Sequence, residues 1–435
     1  MKAIGLVLIG AALLVPMIWL PSIGAGRDSV ALASQYLGLM SLIAMAFAQL
    51  IATRWRIVEA VFGPMDQSYR VHKWLGIGAM VALLLHDTID ADMRGLGAET
   101  LLVELAETLG EISLYGLLIL VVITIATFIP YHLWKWTHRL IGVFFLLGAF
   151  HYLFIQKPFG NLDPLGLYML VVLGVGLVAY VYTSAPRGLR PSRGYRIRSV
   201  TEDGSALAVD MEPTGQPLRH RPGQFAFFAF TGGGLTEPHP FTISKAPSKA
   251  GDLRITVAPL GDYTSRVRRA LSEGQTVKVD GPYGHFGRPT KKPQVWVAGG
   301  VGVTPFVALA QALVADAAPV RMIYAVPSQD SAAHLAELEA IAASKPGFEL
   351  TVWESRKRGR LSVDDVARIA GGDIAASRVL FCGPTALRKA LGDGLRKHGV
   401  PQSQFQYEQF EIRTGIGLRR FASFLWNRRL AGNSP

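Results

Sequence analysis

The chain of 435 residues is long enough for two or three domains. Half of it is hydrophobic, 17% is charged and the mean hydropathy is +0.29, which excludes a single water-soluble globule and indicates a membrane part joined to a soluble part. The net charge of +12 reads as the Lys and Arg excess of loops facing anionic lipid, not as a nucleic-acid surface, and one cysteine with no CxxCH motif excludes an intrachain disulfide, a cysteine-built metal or cluster site and covalently attached haem.

Six apolar stretches, about 3–20, 30–52, 71–88, 109–129, 133–155 and 165–183, are long enough to cross a ~30 Å hydrocarbon core. The first follows Lys2, but Trp19-Leu20-Pro21 offers no small-residue cleavage site, so it reads as a retained helix rather than a signal peptide. Loop charge predicts the orientation. Arg54, Arg56, Arg70 and Lys73 lie between spans two and three, Lys135 and Arg139 at the start of span five, and Arg187, Arg190, Arg193 and Arg196 after span six. The opposite loops hold only Arg27, Arg94 and Lys157, beside Asp87, Asp90, Asp92, Glu99, Glu104 and Glu107. The basic side is the cytoplasmic one, which puts both termini and everything after residue 185 in the cytoplasm, on a bacterial-type inner or plasma membrane.

Span three contains His72 and His86, and span five contains His138 and His151. Ionisable residues inside a membrane are costly and point to function. Fourteen residues of helix rise about 21 Å and return near the same face; thirteen rise about 20 Å and end on a rotated face. Span five is therefore expected to twist, or to present its two ligands from different sides. With both spans running outward, His72 is level with His138 and His86 with His151. Two stacked bis-imidazole sites suit two b-type haems, whereas zinc or copper with two His each would be under-ligated. Gly76, Gly78, Gly142 and Gly148 are expected to let a flat macrocycle approach the backbone.

After Ser184-Ala185-Pro186 comes a basic linker with Pro186, Gly188 and Pro191. Short alternating runs follow at 195–200, 206–211, 224–230, 253–258 and 276–279, separated by Gly and Pro turns, a pattern that predicts a small antiparallel barrel. From about Gln294 the rhythm becomes strand, glycine loop, helix, with further units near Arg321, Glu349 and Arg378; this predicts a parallel sheet covered by helices. The loop Gly299-Gly300-Val301-Gly302-Val303-Thr304-Pro305 ends a strand and opens a helix, where backbone N–H groups and the helix dipole receive a pyrophosphate. Phe381-Cys382-Gly383-Pro384 ends a later strand at the edge where such sheets meet ligand. Read alone, Cys382 is equally a small buried hydrophobe.

In this order the motifs resemble one superfamily, the NADPH oxidases and ferric reductases, in which a ferric-reductase-like membrane domain is fused to a ferredoxin-reductase-like dehydrogenase. The resemblance covers roughly residues 30 to 413. It rests on the paired histidine spacings, RPGQF at Arg221 to Phe225, HPFTIS at His239 to Ser244, LGDYTSRV at Leu260 to Val267, GPYG at Gly281 to Gly284, GGVGVTP and FCGP. It implies a six-helix transmembrane haem bundle (1–185), an antiparallel β-barrel FAD domain (186–290) and an α/β parallel-sheet NAD(P)H domain (291–413). It further implies that His239, Pro240, Phe241, Thr242 and the closing Ser244 seat the isoalloxazine and ribityl chain, that Tyr263, Thr264 and Ser265 meet the FAD phosphates, and that Gly281 and Gly284 close the flavin site. Gly299, Gly300, Gly302 and Thr304 would hold the NAD(P)H pyrophosphate, Cys382 would lie near the nicotinamide, and Phe410, in the terminal run YEQFEIR, would lie by the flavin ring.

The implied activity passes electrons from cytoplasmic NAD(P)H through FAD and two haems b to a small-molecule acceptor outside, with O2 giving superoxide as the leading product. A ferric complex, a quinone or a partner protein are alternative acceptors, and a non-redox haem-binding membrane protein is the distant alternative. Ser355-Arg356-Lys357-Arg358 follows a strand at the adenosine end, where a cationic loop favours NADPH over NADH; a solvated charged loop is the other reading. Residues 414–435 alternate Arg419, Arg420, Arg428 and Arg429 with Phe421, Phe424, Leu425 and Trp426, a composition suited to lying on membrane lipid or to a frayed tail. There is no EF-hand loop or SH3-like segment, so a calcium switch within the chain is not expected.

Overall fold

The computed structural model describes residues 2–89, 96, 98–125, 129, 131–185, 192–371 and 374–408. Asp90, Asp92, Arg94, the linker at 186–191, Phe410 and the tail at 414–435 lie outside them. The chain divides into two compact units, one within Met1–Arg187 and one comprising Gly188–Phe410.

The first unit is helical. α1 (Ala3–Leu14) gives way at Pro16 to a 3-10 turn and then to α2 (Leu20–Ile23), because proline has no N–H to continue the ladder. α3 (Ser29–Ala52) is N-capped by Asp28, whose carboxylate accepts from Val30 N at 2.7 Å. A short α4 (Arg56–Phe62), not expected from the sequence, leads to α5 (Met65–Thr88), which packs along α3. α6 (Leu101–Ile125) begins eight residues before the expected span. Glu104 and Glu107, read as loop residues, instead lie in its first turns, where the positive end of the helix favours carboxylates. The expected fifth span is two helices, α7 (Tyr131–Arg139) and α8 (Ile141–Phe154), parted at Leu140; α9 (Pro164–Ser184) follows.

Five segments among the described residues are long and apolar enough to cross a membrane: Ala3–Ile23, Ser29–Ala52, Leu101–Ile125, Leu133–Phe154 and Pro164–Ser184. The third expected span, α5, is not among them, because Arg70, His72, Lys73, His86 and Asp87 lower its hydropathy. Ile43, Phe145 and Met169 are fully buried between the helices, while Ile119, Val122, Val171 and Val181 point outward. An apolar exterior over a packed interior is what a lipid solvent requires of helices.

The second unit contains two sheets. The six-stranded sheet has the order β4-β3-β6-β1-β2-β5, from β1 (Arg193–Asp203), β2 (Ala206–Pro213), β3 (Phe225–Phe230), β4 (His239–Thr242), β5 (Leu253–Val257) and β6 (Thr276–Tyr283). All its pairings are antiparallel, and a bridge between Ile243 and Ile255 closes it into a barrel. α10 (Asp262–Ala270) lies between β5 and β6. Tyr195, Phe228, Phe230, Leu253 and Val279 fill the interior with no exposed surface, as the alternating pattern dictates.

The five-stranded sheet is wholly parallel, in the order β11-β10-β7-β8-β9. In chain order its elements are β7 (Gln294–Gly299), α11 (Thr304–Gln311), β8 (Val320–Val326), α12 (Leu335–Ser344), β9 (Phe348–Glu354), α13 (Ser355–Arg358), α14 (Val363–Ala370), β10 (Arg378–Cys382), α15 (Thr385–Lys397) and β11 (Phe405–Glu408). Trp296 and Ala298 of β7 pack with Phe306 and Leu338 on one face, and Val295 and Val297 with Val366, Leu391 and Leu395 on the other. Burial on both faces is the rule for parallel sheets and contributes about 1.5–3 kcal/mol per large apolar side chain.

Candidate functional site

β4 carries His239 to Thr242 beside β3, with Phe228 opposite His239 and Phe225 opposite Thr242. The Tyr263 ring stacks on His239 with centroids 3.4 Å apart and planes at 19°. Its hydroxyl donates to Leu235 O (3.3 Å) and Glu237 O (3.1 Å), so it anchors the segment leading into β4. Burial and then the Glu237 carboxylate raise its pKa. Thr264 is likewise engaged: its hydroxyl accepts from Leu260 N and Gly261 N at 2.9 and 3.0 Å and donates to Gly261 O, closing the first turn of α10. Ser265 N donates to Gly261 O at 2.9 Å. Thr242 and Ser244 are buried. Gln224 of RPGQF accepts from Arg221 N at 2.8 Å and donates to Gly284 O at 3.0 Å, tying that turn to GPYG. Side chains at Gly281 or Gly284 would meet Ala226 at 2.9 Å or the Phe225 ring at 3.1 Å.

The glycine loop and FCGP close on each other at the carboxyl ends of neighbouring strands β7 and β10. A Cβ at Gly302 would lie 2.3 Å from Cys382 O, one at Gly299 2.6 Å from Pro384, and one at Gly383 3.0 Å from Gly299. Gly300, at φ +54°, borders open space, a conformation that glycine adopts without strain. Thr304 is buried at the first position of α11, with Pro305 next. Cys382 is fully buried; burial and then the Glu408 carboxylate push its thiol well up. Glu408 is buried, faces Cys382 in the β10–β11 register, and places Oε1 3.6 Å from where a Gly284 side chain would begin. It received no role from the sequence. Ser355 and Arg356 follow β9 in α13. Arg356 N donates to Pro327 O and its side chain is exposed, while Lys357 pairs with Glu354 and Arg358 covers the Trp353 ring.

In the helical unit each of the four histidines has Nδ1 engaged: His72 with Ala48 O (2.9 Å), His86 with Ser34 O (2.8 Å), His151 with Ala106 O (2.9 Å) and His138 with Thr124 Oγ1 (3.1 Å). A carbonyl on Nδ1 selects the tautomer whose lone pair is on Nε2, the orientation seen in metal-bound imidazoles. The His72 and His138 ring centroids are 6.0 Å apart, a separation that suits one iron between two rings with metal–nitrogen bonds of about 2 Å. The break at Leu140 resolves the thirteen-residue spacing: His138 lies in the last turn of α7 and His151 in the last turn of α8, so each ring is carried by its own helix.

His86 and His151 line a cavity of about 350 Å3, together with Gly38, Gly110 and Gly148. A Cβ at Gly110 would lie 2.5 Å from His151 Nδ1 and one at Gly38 3.3 Å from the His86 ring. Gly76 and Gly78 border open space, but Gly142 is packed against Tyr180, which corrects its expected role toward a macrocycle. Asp87, Glu107, Glu111, Gln35, Gln156 and Lys157 also line the cavity. Lys157 donates to Tyr152 O at 2.9 Å and lies 4.9 Å over the Tyr152 ring; burial lowers its pKa to about 8. No group of three or more His, Cys, Asp or Glu able to hold an ion alone occurs among the described residues. Paired imidazoles with glycine-lined space beside them fit a haem, which brings four nitrogens of its own.

Residues 37–149 match the family described as ferric reductase like transmembrane component, residues 196–297 an FAD-binding domain and residues 296–392 an oxidoreductase NAD-binding domain. The chain is a ferric-reductase-like transmembrane domain fused to a ferredoxin-reductase-like module. Its membrane-type domain, with five helices long and apolar enough to cross a membrane, is thus followed by FAD-binding and oxidoreductase NAD-binding domains. The chain is similar to the toluate 1,2-dioxygenase electron transfer component of Pseudomonas putida, with 25% identity over 224 residues, covering 49% of this chain and 65% of that one. A flavohemoprotein of Burkholderia sp. (strain TH2) is 27% identical over 263 residues, covering 55% and 65%. The chain thus spans just under two thirds of the length of these relatives. The crystal structure of flavohemoglobin from Malassezia yamatoensis, with bound FAD and heme, aligns with a TM-score of 0.50 at 17% identity over 92% of this chain and 98% of that one, a likeness of fold alone.

Proposed function

We propose that this membrane flavoprotein takes electrons from NADPH on the cytoplasmic side and delivers them through FAD and two b-type haems to O2 on the other side, giving superoxide. The observation that carries the reading is the set of four histidines, two per level, each with Nδ1 engaged, in one chain with FAD- and NAD-binding domains. When bound, FAD supplies the exchange between a hydride and single electrons, and haem iron supplies one-electron transfer. The polypeptide holds and orients. His72 and His138 would ligate one iron and His86 and His151 the other, while Ala48, Ser34, Ala106 and Thr124 fix the rings and raise their basicity.

His239 to Ser244, with Tyr263 stacked on His239, would seat the flavin, and the first turn of α10 would face its phosphates. Gly300, Gly302 and the start of α11 would receive the nucleotide pyrophosphate, Cys382 and Glu408 would border the nicotinamide, and Arg356 would meet a 2′-phosphate. Lys157, in the cavity of the outer histidines, is the cation that would stabilise superoxide.

Asp87, Glu107 and Glu111 line the same cavity and favour a second reading, reduction of a cationic or iron-bearing acceptor. One experiment separates them. Purified enzyme with NADPH and FAD is given O2, ferric citrate or a quinone analogue. Superoxide-dismutase-sensitive cytochrome c reduction that falls severalfold in Lys157→Gln is expected. NADPH consumption without it, with rapid anaerobic ferric reduction, would reverse the order.

A further inference from the structure

A buried polar cluster joins the barrel to the parallel sheet, centred on His334, whose side chain is 2% exposed. Its Nδ1 lies 3.1 Å from Asp203 Oδ2 and 3.3 Å from Glu337 Oε2. Its Nε2 lies 2.7 Å from Thr256 Oγ1, and Thr256 Oγ1 lies 2.9 Å from Ser244 Oγ. Ser244 closes the HPFTIS run of the flavin seat. Ser244 Oγ also donates to Arg254 O at 3.2 Å. Both nitrogens of the His334 ring therefore have partners, carboxylates on one side and the Thr256–Ser244 hydroxyl chain on the other.

Three further features hold His334 in place. The same Asp203 Oδ2 accepts from His334 N at 3.0 Å. His334 has φ +57°, a left-handed conformation that persists in a non-glycine residue where its surroundings over-determine it. The β1–β2 turn reaches the segment before His334: Ser205 donates to Ser331 O through N (3.3 Å) and Oγ (3.1 Å), and a Cβ at Gly204 would lie 2.8 Å from the Ala332–Ala333 backbone. Arg254 Nη2 bridges Ser244 O (2.8 Å) and Glu337 Oε2 (2.9 Å). The charged and titratable groups around the ring are Asp203, Glu337, Arg254 and Tyr324, whose hydroxyl donates to Ala333 O. Burial and Asp203 push the Tyr324 phenol up, and Glu337 is held down at about 2, so neither changes charge near neutral pH.

We infer that His334, held between Asp203 and Glu337 on one side and Thr256 on the other, is a positioning residue that pins the nucleotide-binding sheet to the barrel and fixes Ser244, thereby setting the approach of nicotinamide to flavin. The inference rests on the flavin and nucleotide assignments proposed above. The test is anaerobic stopped-flow reduction of the flavin by saturating NADPH, and by NADH, in the full-length holoenzyme. His334→Ala should slow reduction roughly 10- to 100-fold with FAD retained and KM changed less than kcat, and His334→Gln, which keeps volume and one donor, should recover part of that rate. A reduction rate for His334→Ala within twofold of wild type, or a loss of FAD and rate together that His334→Gln does not rescue, overturns the inference. Wild-type flavin reduced by neither nucleotide would instead sink the underlying flavin assignment.

Discussion

Replacing Gly110 of α6 by alanine tests the outer histidine site through one atom. The added Cβ would stand 2.5 Å from His151 Nδ1, about 0.9 Å inside the 3.4 Å at which ordinary contact begins. The helix backbone cannot yield by that amount, so the imidazole must move and its 2.9 Å bond to Ala106 O lengthens or breaks. Overpacking of this kind costs about 1–3 kcal/mol, which is roughly 5- to 150-fold in affinity for a ligand held by the ring. The measurement is the haem-to-protein ratio from the reduced-minus-oxidised spectrum, expected near two in the wild type and near one in Gly110→Ala, with FAD content unchanged. Gly10→Ala in α1, where nothing lies within 4 Å, is the control and should keep both haems. Full haem content with an unshifted spectrum in Gly110→Ala would refute His151 as a ligand in this orientation.

Arg356→Ala should raise KM for NADPH about tenfold, as expected for losing a hydrogen bond to a charged group worth ~1.5 kcal/mol, and leave NADH kinetics alone; no loss with either nucleotide would assign Arg356 to solvent. Gly302→Ala, whose Cβ would lie 2.3 Å from Cys382 O, should lower kcat/KM for the nucleotide by roughly 100-fold while FAD stays bound, and kinetics within twofold of wild type would contradict the loop assignment. Glu337 is opposed by burial but held by the His334 hydrogen bond, Arg254 and Gln311, which together lower its pKa from 4.5 to about 2. A depressed acid contributes stability that is present above its unfolded value and is lost as pH falls through the folded one. Stability, read from unfolding followed by tryptophan fluorescence, should therefore fall between pH 4.5 and 2 in the wild type, and Glu337→Gln should flatten that part of the curve; an identical slope would show that the carboxylate contributes nothing there.

Much of this protein is written in short-range pattern. Apolar runs set the membrane segments, the alternation at 195–200 and 206–211 set β1 and β2, and Gly299 to Pro305 set the turn between β7 and α11, because strand and helix periodicities repeat every two to four residues. The paired histidines were legible for the same reason, as costly residues in apolar surroundings. The sequence also bounded its own ambiguity at thirteen residues between His138 and His151, which one regular helix cannot place on one face. What resolved it, the break at Leu140, depends on how α7 and α8 pack.

Tertiary structure alone decided the partners. Ala48 and Ala106, which orient His72 and His151, lie 24 and 45 residues away in the chain, and nothing in an alanine marks its carbonyl as a ligand-orienting group. Gly142 and Gly110 are both glycines in apolar helices, yet one meets Tyr180 and the other His151. Glu408 became a site residue only through the parallel register that places it beside Cys382, and α5 kept its place in the helical unit by packing on α3 despite its charges. His334 carries no motif; its role arises from Asp203, Thr256 and Glu337 converging across the junction of two sheets. Local sequence encodes each segment's periodicity, but which donor meets which acceptor across 78 residues, as Thr256 meets His334, is settled only when side chains pack and each buried polar group must find a partner.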